Sequence, residues 1–135
     1  MSWFVSGKKT EICIRDYPEM TIRERLKRIE ITGHSRMSNP GDYYDQLIKK
    51  LESYYYAFGK TLFIDFRLEF INSTSILLIL QMLFSLQRLT EKEGLIGVSW
   101  YYEEDDEAIQ ETGEIFEASL KIPFELKIIQ LDHNP

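Results

Sequence analysis

The chain has 135 residues, 44% of them hydrophobic, and carries 22 acidic against 16 basic side chains for a net charge of −6. That length suits one domain that buries about two-thirds of its unfolded surface. The acidic balance argues against a general nucleic-acid or anionic-membrane surface and for an electropositive protein partner, and the lone Cys13 excludes an internal disulfide.

Met1 to Lys9 lacks the apolar run of a secretory signal, and the most apolar segment, Ile76 to Leu86, is far shorter than the ~20 residues that cross a bilayer, so a cytoplasmic protein is expected. Lys8 to Lys27 is basic and irregular, with Glu11 to Ile14 as a candidate short strand and a turn at Tyr17-Pro18-Glu19. Leu26 to Thr32 then places Ile29 and Ile31 on one face of a strand. Gly33 and Ser38-Asn39-Pro40-Gly41-Asp42 mark a loop with helix-starting residues. The helix that follows begins at Tyr43 or Tyr44, carries Leu47, Ile48, Leu51, Tyr54, Tyr55 and Phe58 at spacings of three and four, and stops near Gly59.

Thr61 to Ile71 alternates, with Leu62, Ile64, Phe66, Leu68 and Phe70 on one side and Phe63, Asp65, Arg67 and Glu69 on the other. A helix from Ile76 to Leu89 is apolar on more than one stripe, so part of it should be covered by something else. Gly94 ends it, and Leu95 to Tyr102 alternates again. Asp105 or Asp106 can cap a third helix with Ile109, Thr112, Phe116 and Leu120 on one stripe, and Ile122-Pro123 precedes a last strand, Phe124 to Leu131. Strands alternating with helices predict an α/β fold: a single-layer sheet of four to five strands, helices packed mainly on one face, and Asp65, Arg67 and Glu69 turned to water.

The candidate site is the step Asn72-Ser73-Thr74-Ser75 between the central strand and the apolar helix. Such side chains are preferred at N-caps, where their oxygens accept from N–H groups that the first turn leaves unpaired. Capping alone is one reading. The other is phosphorylation, because a charge of about −1.5 to −2 at a helix N-terminus meets free amides and the positive end of the macrodipole, so the modified domain still folds. If the step belongs to a docking surface, the same charge against an apolar partner costs several kcal/mol, and each ~1.4 kcal/mol is tenfold in affinity.

Elsewhere, Glu103 to Glu107 is the strongest charge run. Acids in a first helical turn explain it, with a basic docking partner as the alternative, and its consecutive spacing does not fit a calcium loop. His34 and His133 are too few for a zinc cluster with Cys13. Gly113 inside a helix costs ~1 kcal/mol relative to Ala and predicts a close backbone approach. There is no phosphate-cradling loop, nucleophile elbow or His-Glu-x-x-His, so neither an enzyme nor a cofactor is expected. A small acid/base enzyme using Glu103 to Glu107 or Tyr101-Tyr102 is the rival from another class.

Several of these segments together resemble the SiaC-type bacterial regulatory phosphoproteins, related in fold to the anti-sigma-factor antagonists of the STAS class. The resemblance runs from about Ile29 to Ile128. It rests on Gly33-x-Ser35 with Asn39 and Tyr43-Tyr44, on Phe70 to Ser75, and on Trp100 to Glu107 with Gly113, Phe116 and Pro123-Phe124. It implies a STAS-like fold in which Ser73, at the position of the family's phosphorylated Thr, is modified by a Ser/Thr kinase and restored by a PP2C-like phosphatase; Thr74 is the alternative acceptor. It further implies that the unmodified form binds and activates a diguanylate cyclase, promoting cyclic di-GMP synthesis and biofilm formation. Asn72, Ser73, Thr74 and Ser75, with Glu69 and Arg67 at the rim, are then the expected partner-binding residues. The loop Arg36-Met37-Ser38 departs from the Tyr-Pro-Glu common in the family. An anti-sigma-factor antagonist that binds a kinase-like anti-sigma factor is the alternative within the same architecture.

Overall fold

The structure, a computed structural model, describes residues 16–130. Its elements are β1 (Glu19–Arg23), a 3-10 turn (Glu24–Leu26), β2 (Arg28–Ser35), α1 (Gly41–Ala57), β3 (Thr61–Ile71), α2 (Ser73–Leu89), β4 (Leu95–Glu103), α3 (Glu107–Ser119) and β5 (Phe124–Ile129). The strands form one five-stranded sheet in chain order, β1 antiparallel to β2 and the rest parallel. Each parallel crossover carries one helix, and right-handed crossovers between consecutive neighbours place all three on the same face.

That face holds the core. Ile29, Ile31, Leu62, Ile64, Phe66, Leu68, Ile96, Val98 and Trp100 of the sheet are buried in one cluster with Tyr44, Leu47, Leu51 and Tyr55 of α1, Ile79, Met82, Leu83 and Leu86 of α2, and Ile109 and Phe116 of α3. Trp100 centres the α3 side, donating from Nε1 to Ile109 O at 2.9 Å and meeting Phe116 edge-on with ring centroids 5.2 Å apart. The close approach expected at Gly113 is here: a Cβ on it would lie 2.4 Å from Trp100 Cδ1 and 2.6 Å from Leu126 Cδ2. Asp106, one of the two candidate caps, accepts from Ile109 N at 3.1 Å.

Four expectations are corrected. The segment expected to be irregular around Tyr17 to Lys27 contains β1, an edge strand whose Met20 and Ile22 pack against the core. The second helix starts three residues earlier than Ile76, so Ser73, Thr74 and Ser75 form its first turn rather than a lead-in. The alternation along β3 does not continue to its end. Gly33 pairs with Leu68 but His34 pairs with Phe70, which leaves Glu69 without an opposite residue on β2, a β-bulge that inverts the strand's phase. Phe70, expected inside with Leu68, is therefore 44% exposed, and Ile71 packs against the core in its place.

The fourth correction concerns the outer face of the sheet. Asp65, expected to face water, is only 4% exposed, because Arg28 bonds it at 3.0 Å and the long side chains of neighbouring strands roof it over. Arg67 lies 3.7 Å above the Tyr101 ring and 3.5 Å from Glu30. The expected strand at Glu11 to Ile14, Cys13, His133 and the end of the last strand at Leu131 lie outside the described residues.

Candidate functional site

The chain leaves β3 at Ile71 and enters α2 at Ser73, with Asn72 as the hinge between them. Asn72 Oδ1 accepts from Ser75 N at 2.9 Å, the N-cap bond that Asn is suited to make. Its other groups reach the opposite way: Asn72 N donates to Ser35 O at 2.9 Å and Nδ2 to Met37 O at 3.0 Å. Asn72 thus clamps the β3–α2 turn to the β2–α1 loop.

The three hydroxyls after Asn72 divide by accessibility. Ser73 and Thr74 are exposed, whereas Ser75 is fully buried. Ser35 Oγ donates to Ser75 Oγ at 2.7 Å and shares a second 2.7 Å hydrogen bond with the Tyr44 hydroxyl. Burial pushes the Tyr44 phenol up to about 12, against a smaller lowering from its bond to Ser35, so it stays protonated at neutral pH. The chain Tyr44–Ser35–Ser75 joins α1, β2 and α2 under the exposed pair. Sequence reasoning named all three residues but not their meeting; the signal available was that each belongs to a segment carrying the family resemblance.

Around the exposed pair lies apolar surface. Leu77, four residues after Ser73 and so on the same side of α2, is 55% exposed, and the bulge turns Phe70 outward at 44%. Leu80 and Phe84 continue the α2 stripe half-buried. The covering expected for the extra apolar surface of this helix comes only in part from α1; Leu77 is left without it.

The remaining expected site residues sit on the outer face. Glu69 pairs with His34 at 3.5 Å. Arg67 and Glu69 line a cleft of about 560 Å³ with Tyr101, Tyr102, Glu103 and Asp106, where β3 and β4 continue beyond their last pair, Phe66 with Trp100. Glu104, Asp105 and Glu107 point to solvent at the head of α3. Among the described residues no group of three or more His, Cys, Asp or Glu is placed to hold a metal ion, and no helix is long and apolar enough to cross a membrane.

Fold and step together describe a small mixed α/β domain that presents exposed hydroxyls where a central strand turns into an apolar helix. A family model described as SiaC family regulatory phosphoprotein matches residues 9–129, and the chain belongs to that family. Three solved structures from Pseudomonas aeruginosa are similar. SiaC itself superposes with a TM-score of 0.74 at 21% identity, covering 87% of this chain and 96% of that one. The SiaC chain in the complex of the diguanylate cyclase SiaD with its activator SiaC gives 0.72 at 22%, covering 83% and 92%, and apo-SiaC gives 0.70 at 22%, covering 82% and 90%. These likenesses are of fold. A comparison with curated protein sequences returned no match.

Proposed function

We propose that this protein is a non-enzymatic partner-switching regulator in which phosphorylation of Ser73 controls docking of the β3–α2 turn and the outer stripe of α2 onto a protein partner. The carrying observation is the division of the hydroxyls: Ser73 is exposed at the first position of α2, between exposed Phe70 and Leu77, while Ser75 is sealed in the interior. A kinase can reach Ser73, and Thr74 beside it, without unfolding anything. A dianionic phosphate there sits at the positive end of α2 and leaves the core intact, but it faces any apolar partner surface that covers Leu77 and Phe70 and must be desolvated on binding.

The partner favoured by family membership is a diguanylate cyclase, activated by the unmodified form, with a Ser/Thr kinase and a PP2C-like phosphatase setting the phosphorylation level. Coupling to cyclic di-GMP and biofilm formation follows from that partner, and a cytoplasmic location suits all three. The net charge of −6 favours a partner with a basic contact surface.

The test is co-expression with the kinase encoded nearest the gene, mass spectrometry of the product, and calorimetry of both forms against the neighbouring cyclase. The expected result is phosphate on Ser73 or Thr74 and binding only by the unmodified chain. Phosphate found solely outside that pair, or equal binding by both forms, overturns the reading.

A further inference from the structure

At the β2–α1 end of the site, the two bonds from Asn72 reach the carbonyls of Ser35 and Met37, so Arg36 is the residue held between the two anchor points. Ser35 pairs with Ile71 across the parallel ladder. Continuing that register sets Arg36 opposite Asn72, and with strands about 4.8 Å apart and successive Cα atoms ~3.8 Å apart, the Cα atoms of Arg36 and Ser73 are at most about 9 Å apart. An arginine side chain and a phosphoserine side chain together bridge that span.

Arg36 is also chemically available. Its side chain is 38% exposed, and its Nε lies 3.6 Å from Oδ1 of Asp16, a carboxylate that is itself 71% exposed. Such a pair is weak in water and readily exchanged. Among the described residues, the other charged groups on these two segments are Glu69, which lies 3.5 Å from His34, and Asp42 in the first turn of α1. Within Ser35 to Asp42 and Glu69 to Ser75, Arg36 is the single permanent cation.

We propose that Arg36 is the counter-ion of phosphorylated Ser73. On modification its guanidinium leaves Asp16 and takes two phosphate oxygens in the planar fork that arginine makes with phosphate and lysine does not. The phosphate then lies toward the β2–α1 loop. This rests on Ser73 being the modified residue, and it adds what holds the phosphate once it is there.

The experiment uses the full chain with phosphoserine installed at position 73 by codon reassignment, so that no kinase is needed. The second ionisation of the phosphate, near 6 for a free phosphoserine, is followed by phosphorus NMR in the parent, Arg36→Gln and Arg36→Lys chains. The expected outcome is a pKa about half a unit lower in the parent than in Arg36→Gln, with Arg36→Lys between them, and no difference in melting temperature among the unphosphorylated forms. Identical titrations in the three chains overturn the proposal and assign the phosphate to the α2 amides. Failure of the switch itself reads differently: a phosphate that the kinase places outside Ser73 and Thr74 removes the site, whereas a titration blind to Arg36 removes only its counter-ion.

Discussion

Ser35 Oγ and Ser75 Oγ lie 2.7 Å apart with both residues fully buried, which ties the C-terminal end of β2 to the first turn of α2 two residues from Ser73. Removing one partner strands the other without solvent, and an unpaired buried hydroxyl costs about 1–3 kcal/mol. Ser35→Ala deprives both Ser75 and Tyr44 and is expected to lower stability by that amount in urea denaturation. A midpoint and slope equal to the parent's would show that the three-hydroxyl chain contributes nothing.

The same burial predicts opposite outcomes for a charge placed at Ser73 and at Ser75. Ser73→Asp is expected to weaken partner binding by well over ~10-fold, because a desolvated charge costs several kcal/mol, while the unfolding free energy stays within ~0.5 kcal/mol of the parent, as for surface changes generally. Ser75→Asp places an unpaired carboxylate in the core and should instead unfold the domain. Calorimetry and circular dichroism on the two variants distinguish the outcomes; a destabilised Ser73→Asp chain contradicts the accessibility argument.

Gly113→Ala sets two effects against each other. Alanine gains ~1 kcal/mol of helix propensity, but its Cβ would stand 2.4 Å from Trp100 Cδ1, and forced overpacking costs about 1–3 kcal/mol or more. Trp100 is pinned by its bond to Ile109 O and cannot step aside freely. A net loss of stability with altered tryptophan fluorescence is expected, and a more thermostable variant would show that the indole has room to move.

Asp65 gives a pH signature with a definite sign. Burial pushes its carboxyl above the ordinary aspartate value, opposed by the Arg28 guanidinium. The folded chain therefore holds this proton more tightly than the unfolded one, so the Asp65 contribution costs stability as pH rises from near 4 through the raised value and costs nothing below the unfolded value. Asp65→Asn should remove that component. Urea midpoints between pH 4 and 7 should fall less steeply with rising pH in the variant than in the parent, and parallel curves would disprove the shift.

The legible parts of the fold were those set by one periodic pattern. β3 and β4 alternate because one face of each is core, and the stripes Leu47-Leu51-Tyr55 and Ile109-Thr112-Phe116 repeat every three or four residues because α1 and α3 lie on the sheet by one side. The lost parts depended on a neighbour. β1 is five residues of mixed polarity that become a strand only by pairing with β2; the helix start moved to Ser73 because the cap bond from Asn72 recruits residues of low helix propensity. The hydroxyl run marked the strand–helix junction, but three adjacent alcohols look alike in sequence. Only Ser35 and Tyr44, distant along the chain, decide that Ser75 is interior and Ser73 is not.

One extra residue does much of the shaping at this end of the molecule. Because Glu69 has no opposite number on β2, the last side chains of β3 trade places, and an aromatic ring that an uninterrupted strand would have swallowed stands beside Ser73 instead. One residue added to β2 opposite Glu69 would remove the bulge and turn Phe70 inward and Ile71 and Ser35 outward, erasing the greasy collar of the proposed switch by length alone. A recognition surface of this kind is acquired or lost by a change in count rather than in chemistry.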